Sequence, residues 1–185
     1  MSWWGPTTRG VSVMNTADSF RSGMQRLASG VSIVAASAAD GGRYGMTATA
    51  VFSLSVEPPS LVVGVNRDTM LGGLLSEVRE FSVNILGTGH LEVAEAFAGR
   101  ISGTMGADRF GYGKWSEDAT RPPLLQDAAA GFVCQVDAVL PRRTHLLIVG
   151  LVTEVRVAED QVDPLVYFSR RFASVTEPSR QALNA

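Results

Sequence analysis

The chain has 185 residues, of which 45% are hydrophobic and 18% charged, enough apolar material for one domain with a substantial core. Its formal net charge of -2 lacks the concentrated basic surface of nucleic-acid binders, so nucleic acid is not an expected partner. No apolar run reaches the ~18 residues of a membrane helix, and MSWWGPTTRGVSV has neither the basic start nor the apolar core of a signal peptide, so a cytoplasmic, non-exported protein with no membrane partner is expected.

In chain order, residues 1–13 read as a flexible segment, 14–176 as a single domain and 177–185 as a flexible tail. The segment NTADSFRSGMQRLASG places Phe20, Met24 and Leu27 at i, i+4 and i+7, an amphipathic helix with Thr16 or Asp18 as N-cap and Gly30 as its stop. Valine-rich runs bounded by glycine or proline follow at Val31 to Ser37, Thr47 to Val56, Leu61 to Val65, Phe81 to Leu86, Phe132 to Leu140 and Leu146 to Val157. Helical spacing marks residues 68–80, through Leu71, Leu74, Leu75 and Val78, and residues 88–99, through Leu91, Ala94 and Phe97. Residues 103–127 lose all period in a Gly, Pro and charged stretch that reads as a long surface excursion. The expected class is mainly β, antiparallel, with a few helices in a barrel or sandwich.

The chemistry-bearing residues are few. His90 and His145 with the single Cys134 are too few for a His/Cys zinc site, so no metal is expected. Cys134 lies in the apolar run GFVCQVDAVL and reads as a small buried hydrophobe, which fits a reducing compartment. His90 reads as a surface residue in the first turn of a helix. No GxSxG elbow, Walker loop or complete dinucleotide fingerprint occurs. An enzyme built this way leaves the difficult step to an organic cofactor and contributes position and electrostatics.

Two stretches point to where such a group would sit. In TATAVFSLSV the strand period sets Thr47, Thr49, Val51, Ser53 and Ser55 on one face, and Ala48, Ala50, Phe52, Leu54 and Val56 on the other. The small polar face fits either a solvated strand or one that lets a flat heterocycle approach the backbone. In LVVGVNRDTMLGG an apolar strand runs into Asn66, Arg67, Asp68 and Thr69, where Asp68 and Thr69 cap a helix or, with Arg67, make an anion site.

In order and spacing, ASGVSIVAA, GMTATAVFSLSVEPPSLVVGVNRDT, FSVNIL, EAFAG, RF at Arg109, CQVDAVL, HLLIVGLV and PLVYFSRRF resemble the short-chain flavin reductases, the reductase components of two-component flavin-dependent monooxygenases. The resemblance spans roughly Phe20 to Phe172. It implies a flavin reductase-like split β-barrel (FMN-binding split barrel) that forms a homodimer, with FAD or FMN near the subunit interface. It also implies NADH, or else NADPH, as hydride donor, and a partner monooxygenase that takes the reduced flavin. Rival readings are a barrel of the same class that retains its flavin as an oxidase, and a noncatalytic ligand-binding barrel.

Carried over onto matching positions, the resemblance implies that Met46, Thr47, Ala48, Thr49, Ser53 and Leu54 line the flavin ring and ribityl chain. Val65, Asn66, Arg67 and Thr69 would hold its polar tail and phosphate, with Ala98 and Arg100 bordering the pocket. His145, with Tyr167 and Phe168 nearby, would contact the nicotinamide nucleotide. The family's Asp before that histidine is Thr144 here, beside Arg142 and Arg143, and His90 stands where the family often has glutamine. No side chain is assigned a covalent or acid–base catalytic role, since hydride transfer needs alignment above all.

Overall fold

The computed structural model describes residues 15–175; the expected flexible ends, 1–13 and 177–185, lie outside the described residues. The chain opens with helix α1 (Thr16–Met24). Asn15, rather than Thr16 or Asp18, is its N-cap: the side-chain Oδ1 accepts from the Asp18 N–H at 3.0 Å. The helix ends at Gln25, short of Gly30. Its apolar stripe forms as expected but is not buried within the chain, since Phe20, Met24 and Leu27 are all exposed.

Strands β1 (Ser29–Gly30), β2 (Ser32–Ser37), β3 (Arg43–Ala48), β4 (Val51–Val56) and β5 (Pro59–Asn66) follow. After helix α2 (Met70–Leu74) come β6 (Glu80–Ile85), a 3₁₀ turn (Thr88–His90) and helix α3 (Leu91–Phe97). A 3₁₀ segment (Gly106–Gly111) precedes the long hairpin of β7 (Ala130–Arg142) and β8 (His145–Val157), and the chain closes with β9 (Leu165–Phe168) and β10 (Arg171–Ser174). All strand pairs are antiparallel.

The principal sheet has the order β3-β2-β6-β7-β8-β5-β4, so its two edge strands are consecutive in the chain. Only Thr49 and Ala50 separate them. Three Cα steps span at most ~11 Å, so the sheet must roll until its edges nearly meet. This is a split β-barrel. The expected continuous strand from Thr47 to Val56 is therefore two strands, broken where the chain steps from one edge to the other. The three-stranded sheet β1-β9-β10 lies apart.

Two apolar clusters share β2, whose alternating side chains serve both. Val34 and Ala36 join Val63, Val65, Phe81, Val83 and Ile148 inside the barrel, with Cys134, whose thiol is pushed up to about 12 by burial. Ile33 and Ala35 join Ala94, Phe97, Trp115 and Leu125 on the outside. Burial on both faces is why β2 reads as an unbroken apolar run.

Residues 103–127 run largely over the surface, as expected, but are anchored in the core at Trp115 and at Leu124 and Leu125. Trp115, Leu124 and Leu125 are buried in or against the outer cluster. Asn84, fully buried, accepts from the Leu125 N–H at 2.8 Å, and Ser82 donates to the Pro123 carbonyl at 2.5 Å. These partners lie about 40 residues away in sequence, which no local pattern encodes. Helix α2 is also shorter than expected, stopping after five residues. Gly72 sits so close to the Asn66 carbonyl that a Cβ would collide with it, and the Gly72–Gly73 pair weakens propagation.

Candidate active site

Helix α3 is fixed against β3 by two contacts. The Thr47 hydroxyl donates to the Ala94 carbonyl at 2.7 Å, and Phe97 lies across Gly45, where an added Cβ would be 2.6 Å from its ring. A glycine in the strand interior is the condition for that close approach. Phe97 in turn packs edge-on to Phe110 at 4.9 Å and against Trp115 at 5.3 Å.

Entry to α3 is set by His90, which is buried rather than on the surface. Its Nδ1 accepts from the Gly87 N–H at 3.1 Å and its Nε2 faces Asp127 Oδ1 at 3.3 Å, so the ring proton sits on Nε2. A short connection that must turn sharply into a helix gives the imidazole this structural task.

Over β3 and the end of α3 lies a cavity of about 370 Å³ lined by Met46, Thr47, Thr49, Thr69, Ala98 and Arg100 together with Tyr167, Phe97, Phe172 and Arg109. Seven of the positions carried over by the resemblance thus converge from four separate segments of the chain. Arg100 donates to the Tyr167 hydroxyl at 2.9 Å and stacks over Phe172 at 4.8 Å, clamping β9 and β10 to the cavity rim. Thr49 and Tyr167 also border a second, wider groove of about 600 Å³, closed by Phe20 and Met24 of α1, by Leu27 just beyond it, and by Phe168, Ser169 and Arg170. The exposed stripe of α1 is the apolar wall of this groove.

The β9–β10 turn is unusual in placing two non-glycine residues in left-handed conformation, Ser169 at φ 49° and Arg170 at φ 64°. The Ser169 N–H donates to the Gln25 carbonyl at 2.9 Å, which ties the turn to the end of α1. A cleft of similar volume near Asp40, Glu77, Arg79 and Thr120 contains none of the expected residues.

The other expected residues lie elsewhere. Ala48 and Val65 are buried in the barrel core, where their side chains are not available to a ligand. Ser53 and Leu54 are exposed on β4, at the opposite edge of the sheet. Asn66 and His145 are paired across β5 and β8, and the Arg67 N–H donates to the Thr144 carbonyl at 3.1 Å. His145 thus belongs beside the Asn66–Arg67 loop and lines neither of the two compartments that hold Tyr167; its Nδ1 lies 2.9 Å from the Thr144 hydroxyl. Thr69 is a helix cap: its hydroxyl donates to the Asn66 carbonyl and accepts from the Gly72 N–H at 3.0 Å. Arg67 is exposed and lies 3.6 Å from Asp68. In the sequence Phe97 carries only a helix-packing expectation, and Phe172 and Arg109 carry none beyond their places in the PLVYFSRRF and RF motifs.

The family model of the flavin reductase like domain matches residues 24–176. The NADH:riboflavin 5'-phosphate oxidoreductase of Streptomyces pristinaespiralis is 36% identical over 89% of this chain and 91% of its own length. The reductase component of the FADH(2)-dependent resorcinol hydroxylase of Rhizobium sp. is 34% identical over 85% and 86%. Among solved structures, a flavin reductase domain protein from Arthrobacter sp. FB24 superposes with a TM-score of 0.79 at 27% identity, covering 89% of this chain and 99% of that one. The chain belongs to the flavin reductase like domain family.

Proposed function

We propose that the chain is an NAD(P)H:flavin oxidoreductase, working with NADH in preference, that reduces FMN or FAD and releases it to a separate monooxygenase. The observation that carries this reading is the pair of adjoining compartments meeting at Thr49 and Tyr167, since a hydride transfer between two ring systems needs two ligands side by side. Flavin supplies the hydride-accepting ring when bound.

The chain's own residues do the rest. Met46, Thr47 and Thr49 offer a low wall against which a flat ring can lie close to the backbone, and Arg100 holds the aromatic rim in place. Phe168 and the apolar stripe of α1 provide a water-poor surface for the second ligand. No acid or base is required of the protein. The lining fits a flavin: small side chains on the β3 wall, the aromatic rings of Phe97, Tyr167 and Phe172, and the cationic side chains of Arg100 and Arg109.

The functional unit we propose is a homodimer. Phe52, Leu54, Val56, Val155 and Val157 are all exposed, and an apolar groove of about 350 Å³ runs beside them along Val51, Ile85 and Phe132. A second copy covering this face would bury them and bring Ser53 and Leu54 under cover. No helix among the described residues is long and apolar enough to cross a membrane; we place the protein in the cytoplasm.

The test is anaerobic mixing of purified protein with FMN or FAD and then NADH or NADPH, reading visible flavin absorption. Bleaching that is faster with NADH is expected; an unchanged spectrum with every combination sinks the reading. Yellow colour that survives desalting would instead mark a retained flavin and a different role.

A further inference from the structure

Two elements back the 370 Å³ cavity: α3, which leads into Phe97, Ala98 and Arg100, and the 103–127 segment, which brings Arg109 with Phe110 and Trp115 behind it. They touch in two places. One contact is apolar, Phe97 against Phe110 at 4.9 Å and Trp115 at 5.3 Å. The other is polar and lies at the opposite end of α3, where His90 meets Asp127. The imidazole there makes two bonds of opposite sense: Nδ1 accepts from the Gly87 N–H at 3.1 Å, and the protonated Nε2 faces Asp127 Oδ1 at 3.3 Å. Both partners are anchored. Val162 fills the space a Cβ on Gly87 would need, and the Thr88 N–H donates to the Asp163 carbonyl at 2.8 Å. On the other side, the N–H groups of Leu125 and Ala129 donate to Asn84 at 2.8 Å and to the Ile85 carbonyl at 2.9 Å, so Asp127 lies between two fixed points.

The ring itself is buried, 8% exposed. The charged groups on the elements around it, Glu92 of α3, Lys114 of the 103–127 segment and Asp163, are all exposed, and the end of β6 from Asn84 to Leu86 brings no titratable group. Among the described residues Asp127 alone is in ion-pair contact with it. We propose that His90 is a positioning residue for the flavin cavity, locking α3 to the 103–127 segment as a neutral ring and releasing it when a second proton arrives. That proton can go only to Nδ1, where it turns the acceptor into a donor facing the Gly87 N–H. A buried N–H then loses its acceptor, which is costly, and the ring must move, taking the start of α3 with it. The cavity wall beyond is displaced, so flavin affinity falls in acid. This rests on the flavin reading of the cavity.

The test measures dissociation constants for FAD by flavin fluorescence from about pH 8 to about pH 5.5, the range in which a histidine changes charge. FAD is the probe because, unlike FMN, it has no phosphate monoester titrating near about pH 6. H90Q keeps one acceptor and one donor and takes up no proton in this range, so it is expected to bind within about twofold of wild type at about pH 8. Across the range, wild type is expected to lose at least about fivefold more affinity than H90Q. His145 is present in both proteins, so any slope it causes cancels in the comparison. H90L, which keeps neither bond, is expected to bind at least about fivefold more weakly than wild type at about pH 8. Parallel pH courses for wild type and H90Q would overturn the proposal, as would H90L binding like wild type or H90Q binding as weakly as H90L. Should H90L not fold, the comparison of wild type with H90Q decides alone. Without any flavin, the near-ultraviolet circular dichroism of the aromatic cluster must change over the same pH range in wild type and stay constant in H90Q. Wild-type protein that binds no FAD at any pH refutes the flavin reading, and this flavin-free signal still decides the lock.

Discussion

Strands β3 and β4 leave and re-enter the same sheet two residues apart, and they form its two edges, yet their surroundings are opposite. The β3 edge is covered by this chain: α3 docks on it through Thr47 and Gly45, and Phe97, Phe110 and Trp115 build a rigid aromatic wall behind the cavity. On the β4 edge none of the described residues covers Phe52, Leu54 and Val56, the last 85% exposed. An unprotected apolar edge strand is a liability for a free monomer. The chain sets α3 on the edge that shapes the ligand cavity, and the other edge is where the proposed second copy would dock.

Each prediction breaks or sharpens that contrast. The largest effect is expected from Phe52→Asp, which puts a charge in the bare edge. If a second copy covers it, the dimer should weaken at least about 100-fold, near 3 kcal/mol, with flavin reductase activity falling alongside. Sedimentation showing the same oligomeric state for wild type and mutant would remove the β4 edge from the interface.

Thr49→Leu acts at the step between the edges, where Thr49 borders both compartments. The added bulk and the lost hydroxyl should weaken flavin binding about tenfold, while Thr49→Ser stays close to wild type. Fluorescence titration of the folded variants decides this.

His145→Ala asks whether a residue beside Asn66 still serves the second ligand. The expected outcome is an increase of about tenfold in KM for NADH, or a comparable slowing of hydride transfer, with flavin affinity unchanged. Stopped-flow reduction at saturating flavin separates the two. Lost flavin affinity with normal NADH kinetics would move His145 into the flavin site.

The smallest effect concerns Glu154, on the face of β8 opposite Val155. Its carboxyl is held below the ordinary range chiefly by the hydrogen bond from Arg156, at 2.9 Å, and then by the charges of Arg156 and Arg121. Because its folded value is lowered, its stabilising contribution is full above the ordinary value of 4.5 and disappears as pH falls through the lowered one. Glu154→Gln should therefore cost a few tenths of a kcal/mol in melting experiments near neutrality. The difference should vanish in acid; one that persists there would mean packing, not charge.

Much of this fold is legible in the sequence because it is written at short range. The runs at Ser32–Ser37, Pro59–Asn66, Glu80–Ile85 and the β7–β8 hairpin alternate or fill with β-branched residues, and each becomes a strand within a residue or three of its expected bounds. The order of motifs from GMTATAVFSL to PLVYFSRRF carries the family, and residues as distant as Met46, Arg100 and Tyr167 meet at one cavity.

What the sequence by itself determined was which side chains share a face: Thr47 and Thr49, or Phe52 and Leu54, follow from a period of two. What covers each face was decided only in three dimensions, because the covering groups come from remote segments. Phe97 closes over Gly45 from about 50 residues away, Leu125 turns Asn84 into a buried anchor, and Asp127 draws His90 inward. The break between β3 and β4 has the same origin: TATAVFSLSV is one alternating pattern, and only the closure of the sheet requires its chain to change edges at Thr49 and Ala50. Arg109, whose buried Nε has no hydrogen-bond partner among the described residues, shows the limit most sharply, since a missing partner is a property of everything around a side chain and leaves no mark on the residues beside it.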